Sequence, residues 1–172
     1  RVKVLPAGTE SKVERISTFD GDLEMAGAPR SVAIVLEDEI DASRGDVIVA
    51  ADDPALVSDR ITADLVWMHE DRLSPGREFI LRHGTRVTPC RVRRIVEKLD
   101  IDTLDRNPAE SLELNEIGRV ELETDFPLAF DPYERIRGTG SLILVDRIGN
   151  WTMAAGMIRG RTEDQRWTAT PM

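Results

Sequence analysis

The chain has 172 residues and a formal net charge of −9, with 23 Lys and Arg against 32 Asp and Glu. Hydrophobic residues make up 41% of it, which excludes a disordered polyanion, and charged residues make up 32%, which leaves no run long enough to span a membrane. The acidic balance also argues against nucleic-acid binding, which depends on Lys and Arg neutralising phosphates.

The cysteine content and the N-terminal residues indicate which bonds and metal sites the chain can form, its compartment, and its position within a longer protein. Cys90 is the single cysteine, so neither an intrachain disulfide nor a four-cysteine metal site can form. No secretory signal precedes the first strand, which favours the cytoplasm. The sequence opens at Arg1 directly in strand-like residues without a Met, and we expect it to be an internal part of a longer protein.

Four strands are predicted in the first third of the chain, because segments rich in Val, Ile and Thr alternate there with turn residues. They cover residues 1–5, 11–19, 31–37 and 46–51. The run at 31–37 is continuously apolar, which is typical of a strand covered on both faces.

A polar stretch at 51–54 separates these strands from a second series. Its members are predicted at 61–69, 78–82, 86–97, 116–124, 140–146 and 152–158. The first of them alternates, so that one face of the strand carries Ile61, Ala63, Leu65 and Trp67 and the other carries Thr62, Asp64, Val66 and Met68. Only 103–115 fits a short helix, and 159–172 reads as a tail or linker. The regular turn spacing predicts an all-β fold of sandwiches or barrels.

Charges of the two signs are segregated along the second series. The cations Arg86, Arg91, Arg93, Arg94 and Lys98 lie within thirteen residues, and nine acidic residues follow between Asp100 and Asp125. Two interpretations remain open. These side chains either solvate the outer faces of strands, or they form a complementary surface for a partner subunit. In the second case the five cations are the candidate contact residues.

Nucleotide-binding motifs are either missing or fit turns. No GxxxxGK[ST] loop occurs in the sequence. The segment Asp146-Arg-Ile-Gly149 matches the DxxG pattern of GTPases, yet it joins two predicted strands and is expected to be a turn. Gly138-Thr-Gly140 is likewise expected to be a turn before a strand, since no helix N-terminus follows it to attract an anion.

The remaining candidate residues favour structural roles. His69 and His83 lack metal-ligand spacing, and Cys90, beside Pro89, is expected to be a small buried hydrophobe. The acidic segment Glu37-Asp-Glu-Ile-Asp41 is interpreted as a polar connection. Two short motifs, Arg44-Gly-Asp46 and Asn150-Trp-Thr152, are interpreted as turns. Without a nucleophile–base pair or a carboxylate dyad, the residues alone predict a two-part β binding or scaffold module.

Longer segments resemble a known family. Four segments are similar, in order and spacing, to the third domain of elongation-factor-like GTPases. They are Leu112-Glu-Leu-Asn-Glu-Ile-Gly118, Phe126-Pro-Leu-Ala-Phe-Asp-Pro-Tyr133, Gly138-Thr-Gly-Ser-Leu-Ile-Leu-Val-Asp-Arg147 and Ala154-Ala-Gly-Met-Ile158. Four further segments resemble one branch of this family, the CysN-type large (GTPase) subunit of sulfate adenylyltransferase. They are Thr18-Phe-Asp-Gly-Asp-Leu-Glu24, Val35-Leu-Glu-Asp-Glu-Ile-Asp41, Ser43-Arg-Gly-Asp-Val47 and Leu65-Val-Trp-Met68.

The resemblance implies an architecture of two consecutive β-barrels of the translation-factor domain II/III type. Residues 1–56 are expected to be the remainder of the second domain, incomplete at its N-terminus, and 58–158 the whole third-domain barrel. The barrel core is expected to include Trp67, Ile95, Val120, Leu142, Leu144 and Ala155. An open barrel leaves unpaired strand edges, so we expect 1–56 to be less stable than 58–158 unless further chain completes it.

The resemblance also implies a function. The family's enzyme makes adenylylsulfate and pyrophosphate from ATP and sulfate and couples this reaction to GTP hydrolysis. GTP and Mg²⁺ are expected to bind to a GTPase domain that this segment lacks, so the segment itself is expected to bind no cofactor and to have no activity alone. Its expected partners are the small, adenylyltransferase subunit and, in some members, a C-terminal adenylylsulfate kinase domain. The alternatives are tRNA-binding barrels like those of elongation factors, or a stand-alone interaction module.

Overall fold

A computed structural model describes residues 1–162, and nearly all of their regular structure is β-strand. The N-terminal segment, residues 1–55, contains the strands β1 (Val2–Leu5), β2 (Thr9–Ser11), β3 (Val13–Thr18), β4 (Gly21–Leu23), β5 (Ala33–Leu36) and β6 (Val47–Ala50). The remainder contains β7 (Leu56–Trp67), β8 (Glu78–His83), β9 (Arg86–Leu99), β10 (Arg106–Pro108), β11 (Ile117–Phe130), the one-turn helix α1 (Arg137–Gly140), β12 (Ser141–Val145) and β13 (Thr152–Arg161). Among these residues no helix has the length and hydrophobicity needed to cross a bilayer.

Strands β7–β9 and β11–β13 close into a six-stranded antiparallel barrel. The order around the barrel is β9-β11-β7-β13-β12-β8, and pairing of β8 with β9 completes the circle. The short strand β10 extends the sheet beyond β9. Closure satisfies the backbone groups that an open sheet would leave unpaired at its edges.

Alternation along each strand fills the barrel interior with apolar side chains. On β7, the side chains of Ile61, Ala63, Leu65 and Trp67 are buried, as the sequence predicts. The Trp67 ring meets Phe79 edge-on, with 5.8 Å between ring centroids, and its indole N–H donates to the carbonyl oxygen of Asp71 at 2.9 Å. Burying one large apolar side chain contributes about 1.5–3 kcal/mol to stability, so this core dominates the fold.

Two further features close the core. A bridge between Leu73 and Leu112 places both side chains in complete burial, with the Leu73 N–H donating to the Leu112 carbonyl at 2.9 Å. Gly156 on β13 faces inward, and a Cβ there would lie 2.7 Å from methyl carbons of Leu142 and Leu65. This position therefore requires glycine for packing and not for backbone conformation.

The N-terminal segment contains two three-stranded sheets, β2-β1-β6 and β4-β3-β5. Within residues 1–162, 24 hydrophobic residues are buried; only Val4 and Leu5 of these lie in the N-terminal segment, and the other 22 lie in the barrel. The segment thus buries far less apolar surface than the barrel does.

The structure corrects four strand-level expectations. No helix forms over 103–115, where β10 and the Leu112 bridge lie instead. Ala155 is half-exposed, since Ala154 and Gly156 take the inward positions of β13. That strand extends to Arg161, three residues beyond the predicted end, and the rest of the expected tail, 163–172, lies outside the described residues. Strand β5 is not covered on both faces, because Ala33 and Ile34 are exposed and Val35 and Leu36 are only partly buried.

Candidate partner-contact surface

The five cations predicted for partner contact all lie on strand β9. Cys90, Val92 and Ile95 of this strand face the core, so the side chains between them point outward. A bulge falls at Arg93, because Glu121 of β11 is opposite Arg94 while Leu122 is opposite Val92. The extra residue puts Arg93 and Arg94 together on the outer face, which explains a doubled cation in an alternating strand.

Four of these cations form ion pairs with carboxylates on neighbouring strands or turns. The pairs are Arg91–Glu78 at 2.5 Å, Arg93–Glu123 at 3.2 Å, Arg94–Glu121 at 2.5 Å and Lys98–Glu116 at 2.6 Å. Hydrogen bonding to these partners raises the pKa of Arg91 and of Lys98. The outer face of β9 is therefore a ladder of neutralised pairs and not a free basic patch.

Arg86 has a different role from the other four. Its guanidinium donates to Asp46 of the N-terminal segment at 2.9 Å, and both side chains are about four-fifths buried, with 22% of each exposed. Gly45 has φ +103°, and a Cβ there would approach Arg86 Nε to 2.9 Å, so the turn backbone lies directly against the guanidinium. A second link runs from Arg135 to Asp53 and, within the barrel, to Asp131. Arg86 therefore joins the two parts of the chain.

A buried carboxylate on the outer barrel face is the principal electrostatic feature, and the sequence does not predict it. Asp64 of β7 has 2% of its side chain exposed. Arg119 donates to its two oxygens at 2.8 and 3.2 Å, Arg159 donates at 2.9 Å and Arg106 at 3.3 Å. The cluster unites β7, β10, β11 and β13. Glu97 and Glu134 pair with the same arginines, which balances the charge.

The pKa of Asp64 is held below its ordinary value. Burial acts to raise it, but the hydrogen bond from Arg119 and the positive charges of Arg119, Arg159 and Arg106 outweigh burial. Asp64 stays ionised at neutral pH with its oxygens occupied by guanidinium groups. The cluster therefore fastens strands together and offers no free ligand atom.

The residues considered for catalysis occupy structural positions. Cys90 is buried, as predicted, and burial raises the pKa of its thiol to about 12, so the nucleophilic thiolate is not populated at neutral pH. His69 Nδ1 accepts the Asp71 N–H at 3.0 Å near the end of β7, whereas the His83 ring lies 2.7 Å from the Thr139 carbonyl oxygen at the end of β8. The two histidines lie at opposite ends of the barrel.

The two segments considered for nucleotide binding serve as short connections to strands. In the turn between β12 and β13, an oxygen of Asp146 accepts the N–H groups of Ile148 and Gly149, at 3.0 and 2.6 Å, which confirms the predicted turn. These bonds lower the pKa of Asp146. The helix after Ile136 has a single turn, and a Cβ on Gly140 would lie 2.5 Å from the Tyr133 backbone, so the glycine packs directly against the chain after β11.

The fold places the chain among two-part β proteins of the translation-factor type. Its backbone superimposes on Sup35 in complex with GMPPNP with a TM-score of 0.82, at 19% identity, over 94% of this chain and 40% of that one. The family model described as GTP-eEF1A C-terminal domain-like matches residues 60–159. The chain belongs to this family.

Relatives confirm the resemblance to the CysN branch. The bifunctional enzyme CysN/CysC of Rhodopirellula baltica is 49% identical over 160 residues, which are 93% of this chain and 25% of that protein. Sulfate adenylyltransferase subunit 1 of Laribacter hongkongensis is also 49% identical, over 92% of this chain and 33% of that protein. The chain thus spans a quarter to a third of the length of these relatives.

Proposed function

We propose that this chain is the barrel portion of a sulfate adenylyltransferase GTPase subunit, and that it serves partner contact and coupling. The observation that carries the proposal is the 49% identity to a sulfate adenylyltransferase subunit 1 over 92% of the chain. Identity this high extends over both the N-terminal segment and the barrel. In the whole enzyme, GTP and Mg²⁺ would bind to a separate GTPase domain, and the chemistry at sulfate would belong to the small subunit.

Rigid barrels suit a coupling role, because closely packed cores move as bodies between discrete arrangements. The closed sheet and its apolar core support this role for the barrel. The Arg86–Asp46 pair supports transmission of such a movement between the two parts of the chain. A C-terminal adenylylsulfate kinase domain, which the family resemblance implies for some members, is part of this proposal.

The proposed partner is the small, adenylyltransferase subunit, and the outer face of β9 is the surface first indicated by the sequence. Because its cations are paired with the chain's own carboxylates, we expect it to contribute orientation and selectivity more than affinity. A tRNA partner would need free cations to neutralise phosphates. The ion pairs on β9 and the net charge of −9 favour a protein partner.

The test uses the full-length large subunit and the purified small subunit. Double charge reversal, Arg93→Glu with Arg94→Glu, is expected to weaken binding in a titration calorimeter without lowering the thermal midpoint sharply. Lys12→Glu is the matched control, since Lys12 is also an exposed cation paired with a carboxylate, Glu37, at 3.0 Å. Failure of the unaltered subunits to associate at all would refute the proposed function. Unchanged affinity in the double variant would exclude only the β9 face.

A further inference from the structure

The barrel has two distinct ends, which the strand directions define. Arg86, at the start of β9, contacts the N-terminal segment. The other end of β9, at Leu99, pairs with the start of β11 at Ile117, which in turn pairs with Val66 near the end of β7. We call this second end, away from the N-terminal segment, the distal end. It also carries the turn between β12 and β13.

Large apolar side chains are exposed around the distal end. Six of them are at least two-fifths exposed: Met68 at 42%, Ile101 at 67%, Leu104 at 72%, Leu114 at 44%, Ile148 at 93% and Trp151 at 66%. Single exposed apolar residues are ordinary, but a group at one end of a domain marks a contact surface. Two of the six, Ile101 and Leu114, line a concavity of about 360 Å³ together with Leu99.

The loop 100–105, between β9 and β10, presents two of these side chains in a fixed arrangement. The Asp100 N–H donates to the Asp105 carbonyl at 2.8 Å, and the Leu104 N–H donates to the Asp100 carbonyl at 2.8 Å. The Asp100 carboxylate accepts the N–H groups of Asp102 and Thr103, at 2.9 and 3.1 Å. The loop therefore holds Ile101 and Leu104 outward in the free chain, so little ordering remains for binding.

The conformation of Leu104 is costly for the chain by itself. Its φ is +63°, a left-handed value that leucine rarely adopts, and its side chain is largely in water. Glycine or asparagine would occupy the position with less strain. Strained residues of this kind cluster at functional sites, so a left-handed backbone that exposes an apolar side chain points to a contact outside the described residues.

Charge defines the chemistry of the partner. Within residues 1–162, no Lys or Arg forms an ion pair with Asp102 or Asp105, which belong to the same loop as Ile101 and Leu104. The nearby cations are already used, since Lys98 pairs with Glu116 and Arg106 pairs with Asp64 and Glu97. The rim is therefore negative, and a complementary surface has an apolar centre bordered by Lys and Arg.

We propose that the distal end, centred on Ile101 and Leu104 beside the 360 Å³ concavity, docks the small adenylyltransferase subunit through an apolar segment flanked by basic residues. This inference rests on the proposed function. It extends the contact surface from the outer face of β9 into the loop that directly follows that strand. Affinity then comes from the apolar centre, whereas the carboxylate rim raises the association rate.

The test is a binding titration of the full-length large subunit with the purified small subunit. The double variant Ile101→Ser with Leu104→Gly is expected to bind about tenfold to a hundredfold more weakly. Its thermal midpoint should not fall, because glycine relieves the positive φ at 104 and both side chains are exposed. Asp102→Asn with Asp105→Asn is expected to slow association and to reduce its dependence on salt.

Ile136→Ser is the matched control, since Ile136 is 44% exposed but follows β11 at the end nearer the N-terminal segment. It should bind within twofold of the unaltered subunit. Binding of the Ile101→Ser, Leu104→Gly variant within twofold of the unaltered subunit would overturn the distal-end proposal and leave the proposed function intact. Absence of any complex between the unaltered subunits would overturn both.

Discussion

Replacement of Asp64 by Asn is the most direct test of what holds the outer barrel face together. The side chain keeps its shape, but its negative charge is lost, and an amide N–H₂ replaces an acceptor that now receives guanidinium groups. Arg106, Arg119 and Arg159 would then face each other with only Glu97 and Glu134 as counter-charges. We expect the variant to fold but to be markedly less stable.

The magnitude follows from burial and the number of hydrogen bonds. Removing one partner of a buried ion pair costs about 3–5 kcal/mol, and the low end applies here because the arginine side chains are 26–33% exposed. A loss of about 3 kcal/mol corresponds to a fall in thermal midpoint of roughly 10–20 °C for a domain of this size.

The pH dependence has a definite sign. Because the folded-state pKa of Asp64 lies below the unfolded value of about 3.9, its stabilisation is complete above about pH 5 and is lost as the pH falls through the folded-state pKa. The difference in free energy of unfolding between the unaltered chain and Asp64→Asn should therefore be largest at neutral pH and shrink in acid.

Urea unfolding followed by tryptophan fluorescence at pH 7 and at pH 3 measures both effects. Glu121→Gln is the control, because it removes the 2.5 Å pair with Arg94, whose side chain is 54% exposed, and should cost less than about 1 kcal/mol. An Asp64→Asn chain within 0.5 kcal/mol of the unaltered chain at pH 7 would refute this account of the cluster.

Three further predictions follow from the core. Gly156→Ala should lower the free energy of unfolding by about 1–3 kcal/mol through overpacking, whereas Gly160→Ala, with nothing within 4 Å of its new Cβ, should change it by less than about 0.5 kcal/mol; equal effects in urea titrations would contradict the packing argument. Cys90, with a pKa of about 12, should react with a disulfide reagent at pH 8 only as the chain unfolds, and rapid labelling of the folded chain would show that the thiol is accessible. Backbone amides of 58–158 should exchange with deuterium more slowly than those of 1–56, because the barrel holds 22 of the 24 hydrophobic residues that are buried in the described part of the chain; the reverse order in mass spectrometry would overturn this reasoning.

Strand identity in the barrel was predictable, because period-two patterns report directly which face is buried. Trp67, Ile95, Val120, Leu142 and Leu144 are buried as predicted. Ala155 was assigned wrongly because Ala154 and Ala155 are both small and apolar, so composition cannot tell the inner residue from the outer one. The helix predicted over 103–115 is wrong because Leu112 pairs with Leu73, a residue 39 positions earlier that no local window includes.

The candidate site was predictable only as a set of charges. The sequence places five cations near one another, but it does not show that four of them lie opposite carboxylates of adjacent strands or turns and that Arg86 contacts Asp46. Ion pairing across strands depends on register, and the register of β9 is shifted by bulges that the pattern does not reveal. The exposed loop at the distal end was missed, since nothing in the sequence marks Leu104 as having a positive φ.

The sequence by itself determined the all-β class, the alternation that separates core from surface, and the family, because these depend on local periodicity and on runs of residues in order. Only the tertiary structure decided which charges meet. Asp64 and its arginines are separated by 42, 55 and 95 positions, and closure of the sheet brings them within hydrogen-bonding distance. The physical reason is that side-chain periodicity is a property of one strand, whereas the neutralisation of a charge depends on its neighbours across the barrel.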